Sequence, residues 1–361
     1  MNITKIDKNM ASNAVVNKDD IKYYPASDGT FNIFGLYEPY GKSSFTRMPV
    51  EIADNVSEGV KHLNHISTGA RIRFITNSKY VAVSSKFLDA SFAKTAKSSL
   101  LSTTGMDLYV IENGVHNYYN SMIPPVEFED SYEQIIEFCD ESEREIELYL
   151  PKTNSTTDLL IGLQEKAYIK KATYKYEKPI LFYGSSITQG GCATRHGNIY
   201  PCIVSRYFDT DIVNLGFSGN CKGEDLMADY IAEQDMSIFV YDYDHNAPNV
   251  EHLENTHEKL FKKFRAKHPD TPVIIMSKTD MPKNKGEYNS IMRRKEVILK
   301  TYNNALKAGD KNVYFIDGQE IFKMMGGFDC TIDSCHPNDL GFYCMAQVII
   351  KVIEDNELLR H

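Results

Sequence analysis

Tryptophan is absent from all 361 residues, so no Trp-lined sugar platform can form. No apolar run approaches the ~18 residues that a membrane-spanning helix needs. The opening stretch, MNITKIDKNMASNAVV, lacks the apolar segment of a secretory signal. Cysteine occurs seven times, at Cys139, Cys192, Cys202, Cys221, Cys330, Cys335 and Cys344, an odd number with no CxxC spacing. A disulfide framework is not expected, and reduced thiols in a cytoplasm are. The metal-like pairs His62/His65 and Cys330/Cys335 join no four-ligand zinc pattern, so no structural metal is expected. Lys and Arg number 40 against 49 Asp and Glu, for a net charge of −9 with no basic stripe. Phosphate neutralisation needs clustered positive charge, so no nucleic acid partner is expected, and no membrane partner either.

What is present is an ordinary globular composition, with 42% hydrophobic and 25% charged residues. The length exceeds what one core usually serves, which points to two domains. The two halves carry different patterns. Residues 1–19 are polar and read as an arm. Residues 20–175 hold short alternating or β-branched runs, such as 70–75 (ARIRFI), 80–84 (YVAVS), 106–111 (MDLYVI), 146–150 (IELYL) and 158–163 (DLLIGL). Turn signals divide them, as in an antiparallel sandwich. Residues 176–361 alternate strand with helix instead. Strands are predicted at 180–183, 212–215, 238–243, 273–277 and 313–316, and helices at 199–208, 223–233, 250–268, 293–308 and 338–354. That alternation predicts a parallel sheet covered on both faces. The segment 174–179, ending in Pro179, reads as the junction, and 281–292 (MPKNKGEYNSIM) as a surface loop.

Four segments could carry chemistry. Gly184-Ser185-Ser186-Ile187-Thr188-Gln189-Gly190 follows the first strand of the α/β half, and ligand sites in such sheets lie outside the carboxyl ends of strands. The plain alternative is a βα-loop with helix-capping serines. Asn214-Leu215-Gly216-Phe217-Ser218-Gly219-Asn220 closes the second strand and Asp242-Tyr243-Asp244-His245-Asn246-Ala247-Pro248 the third. Each puts glycine or a side-chain amide on the same rim, where donors could meet an oxyanion. Turn chemistry explains either one, taken alone, better. Before the last helix stands Asp333-Ser334-Cys335-His336, with an acid and a base three apart, or simply a capped surface loop. Arg195 and His245 could touch a substrate, although solvated loop positions would look the same.

Taken together and in this order, the four segments resemble the blocks of the SGNH, or GDSL-type, hydrolase superfamily. The resemblance implies a flavodoxin-like α/β domain. It casts Ser186 as nucleophile, Asp333 and His336 as the rest of a triad, and Ser186 N–H, Gly219 and Asn246 as oxyanion donors. Ser185 stands where the commonest form of the first block has Asp, which is not a triad member. Gly105-Met106-Asp107-Leu108-Tyr109 resembles the G-x-D-L-Y signature of a β-sandwich module found ahead of such domains. A jelly-roll-like sandwich before an α/β hydrolase is therefore implied. So is a serine ester hydrolase that removes short acyl groups, such as O-acetyl, from a carbohydrate without a cofactor. A lipase- or thioesterase-type acylhydrolase on a non-sugar ester is the first alternative. A carbohydrate-binding protein with a vestigial hydrolase domain is the second. The oligomeric state is not legible.

Overall fold

The computed structural model describes residues 6–7, 12, 16–89, 95–323 and 325–359. Much of the arm expected over 1–19 lies outside the described residues. The chain divides into two compact units. The first holds the described residues up to Thr46, then His65–Thr173 and Thr194–Gly197. The second holds Tyr174–Ala193, the described residues from Asn198, and Arg47–Asn64. This last segment carries helices α1 (Val50–Val56) and α2 (Glu58–Asn64), where the sequence reading had only strands. Its helical character has local causes. Pro49 precedes α1, Glu51 and Glu58 sit in first turns, and Ser57 Oγ accepts from Val60 N–H at 3.2 Å.

Among the described residues, ten strands build the first unit: β1 (Ile21–Pro25), β2 (Asn32–Phe34), β3 (Arg71–Thr76), β4 (Tyr80–Phe87), β5 (Met106–Glu112), β6 (Val115–Met122), β7 (Ser131–Glu137), β8 (Arg144–Tyr149), β9 (Thr156–Gln164) and β10 (Ile169–Lys171). One antiparallel sheet runs β1-β9-β4-β7. The other runs β10-β3-β8-β5-β6, with β2 also on β3. Period-two alternation sends Ile72, Phe74, Leu108, Val110, Ile146 and Leu148 into one core with Val81, Val83, Ile161 and Leu163. The opposite face of the second sheet carries Arg71, Arg73, Asp107, Tyr109, Glu147 and Tyr149, all buried as well. A short helix, α3 (Leu100–Thr104), precedes the Gly105 signature and is capped by Ser99.

The second unit is a five-stranded parallel sheet. Its strands are β11 (Tyr176–Gly184), β12 (Thr210–Gly216), β13 (Ile238–Asp242), β14 (Val273–Met276) and β15 (Val313–Ile316), in the order β12-β11-β13-β14-β15. That is the flavodoxin-like order. Ile180–Tyr183 and Ile238–Tyr241 are continuous apolar runs because both sheet faces are covered. The junction expected at 174–179 is partly strand: β11 starts at Tyr176, and its pairing with β12 shifts register between Tyr176 and Ile180, around Pro179.

Helices α4 (Ser186–Gln189), α5 (Tyr200–Phe208), α6 (Asp225–Ala232), α7 (Val250–Lys267), α8 (Lys285–Lys307), α9 (Gly318–Ile321) and α10 (Asp339–Asp355) complete the unit. α8 corrects the sequence reading, since most of the supposed loop 281–292 is its first two turns. Asn284 Oδ1 accepts from Glu287 N–H at 3.0 Å, and Glu287 Oε2 accepts from Lys283 N–H at 2.8 Å. This reciprocal cap starts the helix despite Gly286. No helix among the described residues is long and apolar enough to cross a membrane.

Candidate active site

The sheet order places the carboxyl ends of β12, β11 and β13 side by side, with β11 in the middle. The first loop leaves β11 at Gly184. A Cβ there would lie 1.9 Å from Thr188 Oγ1, so only glycine lets the chain turn this tightly into α4. Ser185 caps α4, its Oγ accepting from Ile187 N–H at 3.1 Å. This explains the Ser-for-Asp departure, because either residue can cap a helix. The two adjacent serines divide the two readings of this loop: Ser185 is the cap, and Ser186 begins the helix with its hydroxyl half-buried.

Ser186 Oγ lies 3.0 Å from His336 Nε2. His336 stands in the loop before α10, which is pinched shut by a bridge between Thr331 and Pro337. Asp333 organises that loop. Its Oδ1 accepts from the N–H groups of Cys335 (3.1 Å) and His336 (2.8 Å), and its Oδ2 lies 2.8 Å from His336 Nδ1. A carboxylate can only accept, so Nδ1 carries the proton and Nε2 is left to face the serine. Ser334 sits at φ 72, a left-handed conformation imposed by the tight turn between acid and base. Sequence reasoning placed these three residues on two distant loops, and the fold brings them together.

The second loop is built just as tightly. Asn214 donates from Nδ2 to Thr188 O at 2.8 Å and accepts from Gly216 N–H at 2.8 Å. Gln189 Oε1 accepts from Ser218 N–H at 2.9 Å. Gly219 has φ 70, which glycine tolerates without strain. On the third loop, Asn246 Oδ1 accepts from Cys221 N–H at 3.3 Å, which sets the orientation of the side-chain amide. Buried Arg294 of α8 holds this loop from both sides, donating to Asp244 O at 2.9 Å and Ala247 O at 2.6 Å. Among the described residues, no partner takes the N–H of Ser186, the N–H of Gly219 or the Nδ2 of Asn246. Three loops from three neighbouring strands therefore each present a donor with no internal partner.

Beneath the serine lies a buried polar layer. Asp242 Oδ2 accepts from Thr188 Oγ1 at 3.0 Å and from Tyr200 OH at 3.1 Å, while its Oδ1 has no partner among the described residues. Burial pushes its pKa up to about 6. Cys335 lies next to the histidine, but burial and the neighbouring Asp280 push its thiol up to about 12. A thiolate nucleophile is disfavoured there.

The two candidate substrate contacts are placed differently. His245 is turned inward, with its side chain 4% exposed and Nε2 3.1 Å from Asp280 Oδ1. Arg195 belongs to the first unit. There it donates to Tyr109 OH at 2.6 Å and lies 3.8 Å from the Tyr118 ring centroid. In the same segment Gly197 N–H donates to Asp107 Oδ2 at 2.7 Å, and a Cβ on Gly197 would lie 2.2 Å from Tyr109 OH. Asn214, Gln189 and Arg294 hold the site's loops and were not singled out as candidates. Asn214 and Gln189 lie in recognisable blocks, and Arg294 does not. Among the described residues, no group of three or more His, Cys, Asp or Glu is placed to hold a metal ion.

No curated protein matches the chain. Solved structures do. A GDSL-like lipase from Bacteroides ovatus is similar at 29% identity and TM-score 0.83, over 93% of this chain and 97% of that one. A salicylyl-acyltransferase from a tetracycline biosynthetic pathway is similar at 18% identity and TM-score 0.77, over 95% and 99%. A family two carbohydrate esterase from Clostridium thermocellum, in complex with cellohexaose, shares the fold at 14% identity and TM-score 0.59, over 81% and 94%. Residues 21–169 match GxDLY, the N-terminus of SGNH-hydrolase-type esterases, so both resemblances read from the motifs hold. Residues 177–354 of this chain belong to the GDSL-like lipase/acylhydrolase family, an SGNH-type esterase domain carried behind a GxDLY module.

Proposed function

We propose that the chain hydrolyses esters through a Ser186–His336–Asp333 relay and that its substrate is a carbohydrate bearing short acyl groups. The observation that carries the relay is the 3.0 Å contact from Ser186 Oγ to His336 Nε2, backed by the 2.8 Å contact from His336 Nδ1 to Asp333 Oδ2. Ser186 Oγ attacks the ester carbonyl and its proton passes to His336 Nε2. The carbonyl oxygen becomes an oxyanion among Ser186 N–H, Gly219 N–H and Asn246 Nδ2. Collapse breaks the ester C–O bond, and His336 returns its proton to the leaving alcohol. Water, deprotonated by His336, then releases the acid and regenerates the serine. Asp333 orients the imidazole and offsets its charge while the proton is held.

The sugar half of the reading draws on the carbohydrate esterases that share the fold, among them an acetyl xylan esterase from Butyrivibrio proteoclasticus at 12% identity. Acetate release from acetylated xylan, mannan and pectin fragments tests it, with Ser186→Ala as the control. The 29% identity to a GDSL-like lipase supports a second reading, an acylhydrolase on a non-sugar ester. A chain-length series of nitrophenyl esters separates the two: short-chain preference with acetate release supports the first, long-chain preference the second. Arg195 and His245 are kept as candidate substrate contacts, and KM changes on their replacement test that.

A further inference from the structure

We propose that Arg47 is a positioning residue: its buried guanidinium holds the end of β12 and the loop that follows, and so sets where the Gly219 N–H points. The proposal rests on the reading of Gly219 as an oxyanion donor. Arg47 lies far away in sequence, in the short segment that joins the second unit ahead of α1. It is 2% exposed. Nη1 donates to Asn214 O at 2.9 Å and to Gly216 O at 2.7 Å, and Nη2 donates to Leu63 O at 2.6 Å. The guanidinium also lies 4.4 Å from the centroid of the Phe217 ring. Two of its three acceptors and its stacking partner are thus the last residues before Ser218 and Gly219.

Among the described residues Arg47 has no carboxylate partner, and its Nε has no hydrogen-bond partner. A buried charge is costly unless hydrogen bonds compensate, and here only backbone carbonyls do so. Burial lowers its pKa to about 9, so it is still charged at neutral pH. An apolar side chain would fill this space at lower cost. A forked cation is the better choice where two carbonyls of one strand end must be held at once.

A second observation bears on the same loop. A Cβ on Gly59 of α2 would lie 2.0 Å from Asn220 Oδ1, so α2 packs directly on the residue after Gly219. Asn220 Nδ2 in turn donates to Ser218 O at 2.8 Å. Arg47 itself is held in place by Asn64, whose Oδ1 accepts from Arg47 N–H at 3.1 Å and Met48 N–H at 2.9 Å. The loop is therefore clamped from the strand side by Arg47 and from the helix side by Gly59. Misplacing a donor by about 1 Å can cost about 10²-fold in rate.

The test uses the full chain with Arg47→Met, Arg47→Lys and Gly59→Ala. It measures nitrophenyl acetate kinetics together with amide hydrogen exchange at Gly216, Phe217 and Asn220, and β14 serves as the internal reference. In Arg47→Met, kcat is expected to fall about 10²-fold with KM within about threefold. Exchange at the three amides should rise about tenfold or more while β14 is unchanged. Lysine should recover part of both effects. Arg47→Lys decides the matter if Arg47→Met does not fold; Gly59→Ala, which favours the helix, is the control for the helix side, with a smaller drop in kcat and the same local exchange expected. Wild-type kcat, or unchanged local exchange, in a folded variant overturns the proposal. So does a rise in exchange that is uniform across the sheet. If wild type and Ser186→Ala hydrolyse esters equally, it is the catalytic reading that falls, and the exchange data still decide whether Arg47 holds the loop.

Discussion

Two buried aspartates separate the two units. Asp107, in the GxDLY signature, is fully buried and both of its oxygens are used: Oδ1 accepts from Ser121 Oγ at 2.7 Å and Oδ2 from Gly197 N–H at 2.7 Å. Asp242, at the end of β13, is also fully buried, yet Oδ1 has no partner among the described residues and burial pushes its pKa up to about 6. The signature residues around them follow suit. Gly105 closes on α3, Leu108 fills the core and Tyr109 OH accepts from Arg195, so the sandwich signature is internally satisfied. Among the described residues, the blocks of the α/β unit instead leave the Ser186, Gly219 and Asn246 donors open. Polar groups that are buried and satisfied specify a structure. Donors held rigidly and left open are what a reaction can use.

The largest effect on the α/β unit is expected from Ser186→Ala. It should lower kcat by at least about 10⁴-fold in steady-state assays and leave the thermal midpoint near wild type, since the hydroxyl has no core role. Asn246→Ala should cost about 10²–10³ in kcat with a small change in KM, the usual size for one oxyanion donor. In the sandwich the pattern should invert. Asp107→Ala strands the buried Gly197 N–H and takes one of two partners from the half-buried Ser121 hydroxyl, so denaturant melts should show about 1–3 kcal/mol lost. Its kcat per folded molecule should stay within about threefold of wild type. A large kcat loss without a stability loss would contradict the structural role given to that signature.

The smallest effect is a pH dependence. The carboxyl of Asp242 titrates near 6 when folded and near its ordinary value, about 3.9, when unfolded. Between those values the folded state binds more protons, so the ionised buried carboxylate costs stability as pH rises. Asp242→Asn keeps an oxygen for Thr188 and Tyr200 and removes that charge. The variant should therefore gain on wild type by about 2–3 kcal/mol from pH 4 to pH 7. His257 gives wild type the opposite slope: burial lowers its pKa to about 3, so its contribution is lost as pH falls below about 6.5. The difference between wild type and variant is thus the quantity to read. A difference that stays flat from pH 4 to pH 7 would remove the argument for a strained carboxylate under Ser186.

Much of this site was legible because its parts sit at strand ends, where periodic apolar runs stop and Gly, Ser, Asn or His begins. Runs such as 180–183 and 238–243 announced the parallel sheet, and Ser186, Gly219, Asn246 and His336 stood just past such runs or before the last helix. What was not legible depended on tertiary support. Arg47 acts by donating to carbonyls of residues far away in sequence, and carbonyl acceptors leave no trace in side-chain identity; Arg294 meets the Asp244 carboxylate as well as the carbonyls of Asp244 and Ala247, fifty residues away or nearly so. The first turns of α8 were hidden by Gly286, although Asn284 and Glu287 spelled out the cap. Helices α1 and α2 were missed because two seven-residue helices look like turns between strands until their packing is seen.

In the proposed reaction the Ser186 hydroxyl carries the acyl group. The most direct test is rapid acid quench of the full chain during turnover of nitrophenyl acetate, followed by peptide mass spectrometry. One acetyl group is expected on the peptide containing Ser186, formed at the rate of the kinetic burst and absent in Ser186→Ala. Acetyl on a Cys192 or Cys335 peptide, or full turnover with no acetylated peptide, would contradict it.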